Sequence, residues 1–231
     1  MTALVLLLLV QTPPGYLARE VKHEGARFQV VTLDTRSITV SLKRECAGER
    51  CERLPAAKKG ALVAMNAGIF EPGLAPTGLL VVDGKELSPL NTAKGEGNFF
   101  MQPNGVFFIG ADGAPGLAST SDFAKKRPKA QHATQSGPML VHGGRLNGKF
   151  SKGSSNLNVR NAVGVKGPLV HLVLSLEPVS FHALASLFRD VLQVDDALYL
   201  DGFISELAAD GLKPARPPEH DFAAFIVASP R

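Results

Sequence analysis

"RFQVVTLDTRSITVSL", residues 27–42, holds the pattern that decides the fold. Ile38, Val40 and Leu42 alternate with Ser37, Thr39 and Ser41, the period of two that belongs to a strand with one buried face. This run follows "RFQVVTL" (27–33) across Asp34-Thr35-Arg36, which predicts a hairpin. Working outward, "ALVAM" (61–65), "GLLVV" (78–82), "GVFFI" (105–109), "GPMLV" (137–141), "NAVGV" (161–165) and "LVHLVLS" (169–175) are further strand candidates. Asp83-Gly84, Asp112-Gly113, Gly143-Gly144 and Lys166-Gly167-Pro168 punctuate them as turns. "AAFIV" (223–227) predicts a closing strand. Helical spacing is clear in "SFHALASLFRDVLQ", where Phe181, Leu184, Ala185, Phe188, Val191 and Leu192 recur on one side behind Ser180 as N-cap. A short helix has room within 46–59. No repeat or linker divides the chain. These signals predict a single α+β domain, a largely antiparallel or mixed β-sheet core with a few flanking helices.

Composition narrows the function classes. At 231 residues the chain can bury one sizeable core, and 45% apolar with 20% charged residues excludes a disordered chain. The net charge of +4 is spread out, densest at "AAKKG" (56–60) and "KKRPK" (125–129), with no basic stripe interleaved with aromatics. Nucleic acid is therefore not an expected partner. The absence of Trp and the two Tyr argue against a long polysaccharide groove, although thirteen Phe can substitute in part.

Residues 3–10 form an unbroken apolar run, too short to span a membrane and about the length of a signal-peptide core. This predicts a signal segment over 1–18, a mature domain over 19–231, and a periplasmic or secreted location. No Lys or Arg precedes the run and no A-x-A site follows it, so a buried N-terminal strand is the other reading. Cys46 and Cys51, with four residues between them, suit a local disulfide in an oxidising compartment, with two free thiols the alternative. Two thiols make half a zinc site at most, and His220-Asp221 has no companion cluster; no metal and no cofactor are expected.

Five polar-glycine clusters close candidate strands: "MNAGIFEP" (65–72), "GEGNFFMQPNGVFF" (95–108), "TQSGPML" (134–140), "NVRNAVGV" (158–165) and "LYLDGFIS" (198–205). Glycine admits close approach of backbone N–H groups to an oxygen-rich or anionic ligand. Together with "PTGLLVVDG" and "EPVSFHALASLF", and in this order over residues 60–207, the clusters resemble the phosphodiester glycosidase family, its compact bacterial branch more than its lysosomal one. The resemblance implies ligand-binding roles for Asn66 and Gly68, Asn104, Gln135-Ser136-Gly137, Arg160-Asn161, and Gly202 with Ser205. It places Asp201 in the family's Leu-Asp-Gly turn. Phe203 departs from the small residue of the lysosomal branch.

The chemistry agrees with this resemblance. Cleaving C1–O of a sugar-1-phosphodiester expels a phosphate monoester with a second pKa of about 6, which needs little protonation. Such a site needs a cation for the departing phosphate and a carboxylate at the anomeric carbon. Arg160, whose guanidinium fork can meet two phosphate oxygens, is the candidate cation. Asp201 is the candidate base or nucleophile. Glu71 is the second carboxylate if two are required, although from the residues alone it reads first as an ordinary loop acid. The expected activity is hydrolysis of a small sugar phosphodiester or an envelope glycan. A non-catalytic carbohydrate- or envelope-binding protein on the same scaffold is the alternative.

Overall fold

The computed structural model describes residues 12–47, 50–202 and 204–231. The apolar run 3–10 and Phe203 lie outside these described residues. Three antiparallel sheets make up the body of the molecule. The largest has seven strands in the order Tyr16–His23, Ala26–Asp34, Leu169–Ser175, Asn161–Lys166, Asp196–Asp201, Met139–His142 and Arg145–Leu146. A five-stranded sheet runs Lys85–Ser88, Leu80–Val82, Ala130–Ser136, Gly105–Gly110 and Pro115–Ser119. A four-stranded sheet runs Leu207–Ala209, Val63–Asn66, Phe225–Pro230 and Ile38–Lys43. The α+β, mainly antiparallel expectation holds.

The predicted hairpin at 27–42 does not form. Its first half, Ala26–Asp34, pairs with Tyr16–His23 and Leu169–Ser175 in the large sheet. Its second half, Ile38–Lys43, pairs with Phe225–Pro230 in the small one. The second half alternates as expected while the first is buried on both faces, and Val31 and Leu33 on one and Ile38, Val40 and Leu42 on the other face a core shared by the sheets. The turn is an arch, pinned where Thr35 Oγ1 donates to Pro168 O (3.0 Å). Periodicity fixes which side of a strand is buried, not which strand lies beside it.

The large sheet is buried on both faces. Leu172, Leu174, Val163 and Leu198 turn to the core shared with the other sheets. Val173, Ala162, Ala197 and Tyr199 turn to the helix Phe181–Ser186 and the π-helical turn Leu187–Val191 that continues it. Ser180 caps this helix as expected, its hydroxyl accepting from Ala183 N (3.1 Å). The short helix within 46–59 is Leu54–Lys58. A third, Thr120–Lys126, lies outside the sequence expectation; its cap is Ser119 Oγ accepting from Asp122 N (3.1 Å). It buries Phe123 and Thr120 alone, too few side chains for a helical period to show.

The first strand begins at Tyr16, inside the stretch read as a signal segment, so the folded domain takes in Tyr16, Leu17 and Ala18. Tyr16 is buried and its hydroxyl donates to Asp210 O (2.7 Å). Cys46 and Cys51 face each other in a two-residue ladder and are joined by a disulfide.

Candidate active site

Asp201 ends the strand Asp196–Asp201 opposite Asn161, the first residue of the antiparallel strand beside it. The chain then turns at once: Gly202 N donates to Asp201 Oδ1 (2.6 Å) and Ser205 Oγ donates to Asp201 O (3.0 Å). Asn66, at the end of a strand in the four-stranded sheet, reaches across. Its Nδ2 donates to Ile204 O (3.1 Å) and, at 3.5 Å, to Asp201 Oδ2. Its Oδ1 accepts from Asn161 Nδ2 (2.8 Å) and from Glu206 N (2.9 Å). Asn66, Asn161, Asp201 and Ser205 thus form one buried polar knot where two sheets meet.

Arg160 lies beside this knot and is wholly buried. Its Nε donates to Val179 O (3.0 Å), and its Nη2 to Asn156 O (3.1 Å) and Asn156 Oδ1 (3.0 Å). The guanidinium lies 3.8 Å over the Phe181 ring. Among the described residues, the arginines that form ion pairs are Arg27, Arg36, Arg53 and Arg189, and Nη1 of Arg160 has no hydrogen-bond partner. Burial pulls its pKa down from the ordinary arginine value, and Tyr199 acts against that pull. The group remains a cation. The open fork expected from the sequence is corrected in one respect: the protein already holds Nε and Nη2, so a single nitrogen is left for a ligand.

An open cleft of about 370 Å³ lies over Asp201. Asp201, Gly202 and Glu71 line it, so the two carboxylates singled out in the sequence share one cavity. Glu96, Asn98, Asn156, Asn158, Thr77 and Tyr199 line it too, and none of these was legible as a site residue. Tyr199 had a signal, standing two residues before Asp201 on the same strand; the others sit in loops whose approach only the fold reveals. Eight buried side-chain polar atoms lack a partner among the described residues; Thr77 Oγ1, Arg160 Nη1 and Asn161 Oδ1 are three of them, all at or just behind this cleft. Buried polar groups in folded proteins are mostly paired, which makes this group of three a candidate place for a polar ligand.

Other residues assigned to binding stand behind the wall instead. Gln135 Oε1 accepts from Leu79 N (3.0 Å) and Asn91 N (2.9 Å), while its Nε2 donates to Asn91 O (2.7 Å) and Thr120 Oγ1 (3.1 Å). All four of its hydrogen-bonding positions are used, which leaves nothing for a substrate. Ser136 Oγ donates to Leu200 O (3.0 Å), and Asn104 Nδ2 to Phe99 O (3.1 Å). Gly137 packs against Phe99 O and Asn104 Cβ. Gly68, at φ 71°, turns the chain against Thr134. These residues shape the loop that carries Phe99 and Asn98.

A larger cleft of about 610 Å³ lies beside the helix Thr120–Lys126, walled by Leu79, Val81, Leu90 and Phe123. None of the unpartnered buried polar atoms borders it, and it holds none of the chemistry above. His220 binds Glu206 Oε1 (3.0 Å) rather than its neighbour Asp221, which pairs with Arg53. Among the described residues no group of three His, Cys, Asp or Glu side chains is placed to hold a metal ion. Nor is any described helix long and apolar enough to cross a membrane.

Comparison with known proteins bears on the family and the fold. The profile of the phosphodiester glycosidase family matches residues 59–222. The uncharacterized protein YigE of Escherichia coli (strain K12) is 38% identical over 151 residues, 64% of this chain and 58% of that protein, so the match spans under two thirds of that relative. Among solved structures, the catalytic domain of zebrafish N-acetylglucosamine-1-phosphodiester alpha-N-acetylglucosaminidase, auto-inhibited by its pro-peptide, superposes with a TM-score of 0.66 at 17% identity. That match covers 94% of this chain and 82% of the other. A hypothetical protein from Synechocystis gives a TM-score of 0.62 at 15% identity, over 94% of this chain and 62% of its own. At such identities the likeness is one of fold.

Proposed function

The chain belongs to the phosphodiester glycosidase family, and from that premise we propose that it is an exported hydrolase that breaks the C1–O bond of a sugar-1-phosphodiester. Arg160 carries the reading. A buried cation without an ion pair is costly, and a protein keeps one where an anion from outside completes it. Here the unpartnered Nη1 lies behind the cleft that Asp201 lines. In this mechanism Asp201 acts at the anomeric carbon, as base toward water or as nucleophile, while Arg160 offsets the charge that grows on the departing phosphate. Glu71, and Glu96 beside it, are the second carboxylates at hand. The zebrafish enzyme is named for an N-acetylglucosamine-1-phosphodiester, which makes that class the first substrate to try.

The test is a panel of sugar-1-phosphodiesters hydrolysed in ¹⁸O-labelled water. Label in the free sugar is the expected outcome. Label in the phosphate would mean P–O cleavage, and tight binding without turnover would favour the non-catalytic alternative.

A further inference from the structure

Tyr199 is a polar group in the cleft that the phosphodiester reading leaves unused. Its ring stands edge-on to Phe181, with centroids 4.9 Å apart, and Phe181 carries the Arg160 guanidinium on its face. Tyr199 and Arg160 therefore flank one aromatic ring, and both turn a polar end toward Gly202. A Cβ added at Gly202 would collide with Tyr199 Oη and stand 3.1 Å from Arg160 Nη1. Tyr199 Oη packs directly against the Gly202 backbone with Arg160 Nη1 alongside, an approach that only a glycine allows. Tyr199 Oη accepts from Asn98 Nδ2 (3.4 Å), which leaves its own proton to point into the cleft it lines.

We propose that Tyr199 Oη and Arg160 Nη1 form a two-donor anion site over Gly202, where Tyr199 gives a neutral O–H to a phosphoryl oxygen of the substrate. The identity of the ligand rests on the function proposed above; the site itself rests on these contacts. In the reaction, water oxygen bonds to C1 and loses its proton to the base, and the C1–O electron pair moves onto the phosphate. A diester monoanion becomes a monoester dianion, so both donors hold the departing group more strongly than the substrate. Tyr199 gives up no proton. Burial first, and then the charge of Asp201, push its phenol up to about 12, with Arg160 opposing. Transfer to a phosphate of pKa about 6 would run roughly six orders of magnitude uphill.

With no Trp and two Tyr in the chain, tyrosine difference absorbance reports this site directly. Dimethyl phosphate titrated into the folded protein is expected to perturb that absorbance in the wild type and in Tyr16→Phe, and not in Tyr199→Phe. Gly202→Ala, whose methyl group would push Tyr199 Oη away from Arg160 Nη1, is expected to abolish the perturbation while keeping both tyrosines. In turnover, Tyr199→Phe keeps the packing on Phe181 and should lose about 10²–10³ in kcat, with an unshifted pH profile. A perturbation that persists in Tyr199→Phe, none in the wild type, or a Tyr199→Phe enzyme with wild-type kcat would each overturn the proposal. If the wild type cleaves no sugar phosphodiester yet dimethyl phosphate still perturbs Tyr199, the anion site stands and the substrate reading falls.

Discussion

Asp201→Asn and Arg160→Lys separate charge from geometry in opposite ways. The first keeps the volume and the turn, because an amide oxygen still accepts from Gly202 N and the backbone carbonyl still accepts from Ser205. The fold is expected to survive, with kcat/KM down by about 10²–10⁴ for a lost base, more for a lost nucleophile. Circular dichroism beside the kinetics checks both halves, and a folded, fully active variant would pass the carboxylate role to Glu71. The second keeps the charge, but an ammonium cannot serve Val179 O and both Asn156 oxygens and still face Gly202. Turnover is expected to fall about 10²-fold or more, together with a loss of stability that Asp201→Asn does not share. At this scale the sequence was legible where chemistry needs a rare group: an acid ending an apolar strand, an arginine beside an asparagine. It was silent on commitment. Nothing in "TQSG" says that Gln135 spends every hydrogen bond on the backbone around it, and nothing in "NVRN" says that two guanidinium nitrogens are already held.

Gln135 also shows how elements are coupled. From the strand Ala130–Ser136 it braces Leu79, the loop at Asn91 and the first residue of the helix Thr120–Lys126. Gln135→Ala strands four partners, two of them on buried Leu79 and Thr120 and two on half-buried Asn91, for a cost of about 3 kcal/mol and a melting temperature lower by roughly 10 °C. Michaelis constants should stay near the wild-type values, since the side chain touches no ligand. A rise in KM without loss of stability would return Gln135 to the binding site. Elements themselves were read well from pattern: the strands at 161–165 and 169–175 and the capped helix at 181 stand where the periods put them. What failed was pairing, because an arch at 34–37 and a hairpin offer the same two apolar runs and the same polar turn.

For the molecule as a whole, His171 sets an acid limit. It is buried between the large sheet and its surroundings, its Nδ1 within 3.0 Å of Thr32 Oγ1. Burial first, then Lys166 and Arg19, lower its pKa from 6.5 to about 4. The unfolded chain takes up this proton below 6.5 and the folded one does not until about 4. Stability is thus complete above pH 6.5 and falls as pH drops through that window, by on the order of 3 kcal/mol. Burial lowers the His132 pKa as well, which adds in the same direction. Urea unfolding at pH 7.5 and pH 4.5 measures the difference, and His171→Gln should remove most of it; an unchanged slope would clear His171 of the effect. The order of strands has a consequence for synthesis as well. Ala26–Asp34 waits for Leu169–Ser175, and Asn66 gains its strand partner only when Phe225 has been made. As it leaves the ribosome, the chain can close its local hairpins, then the five-stranded sheet and the seven-stranded sheet, while the four-stranded sheet waits for Phe225–Pro230. The strand that carries Asn66 is thus completed only at the C-terminal end of the chain, so its grip on Asp201 is among the last contacts to assemble, and a chain cut short of Phe225 would lack the finished cleft.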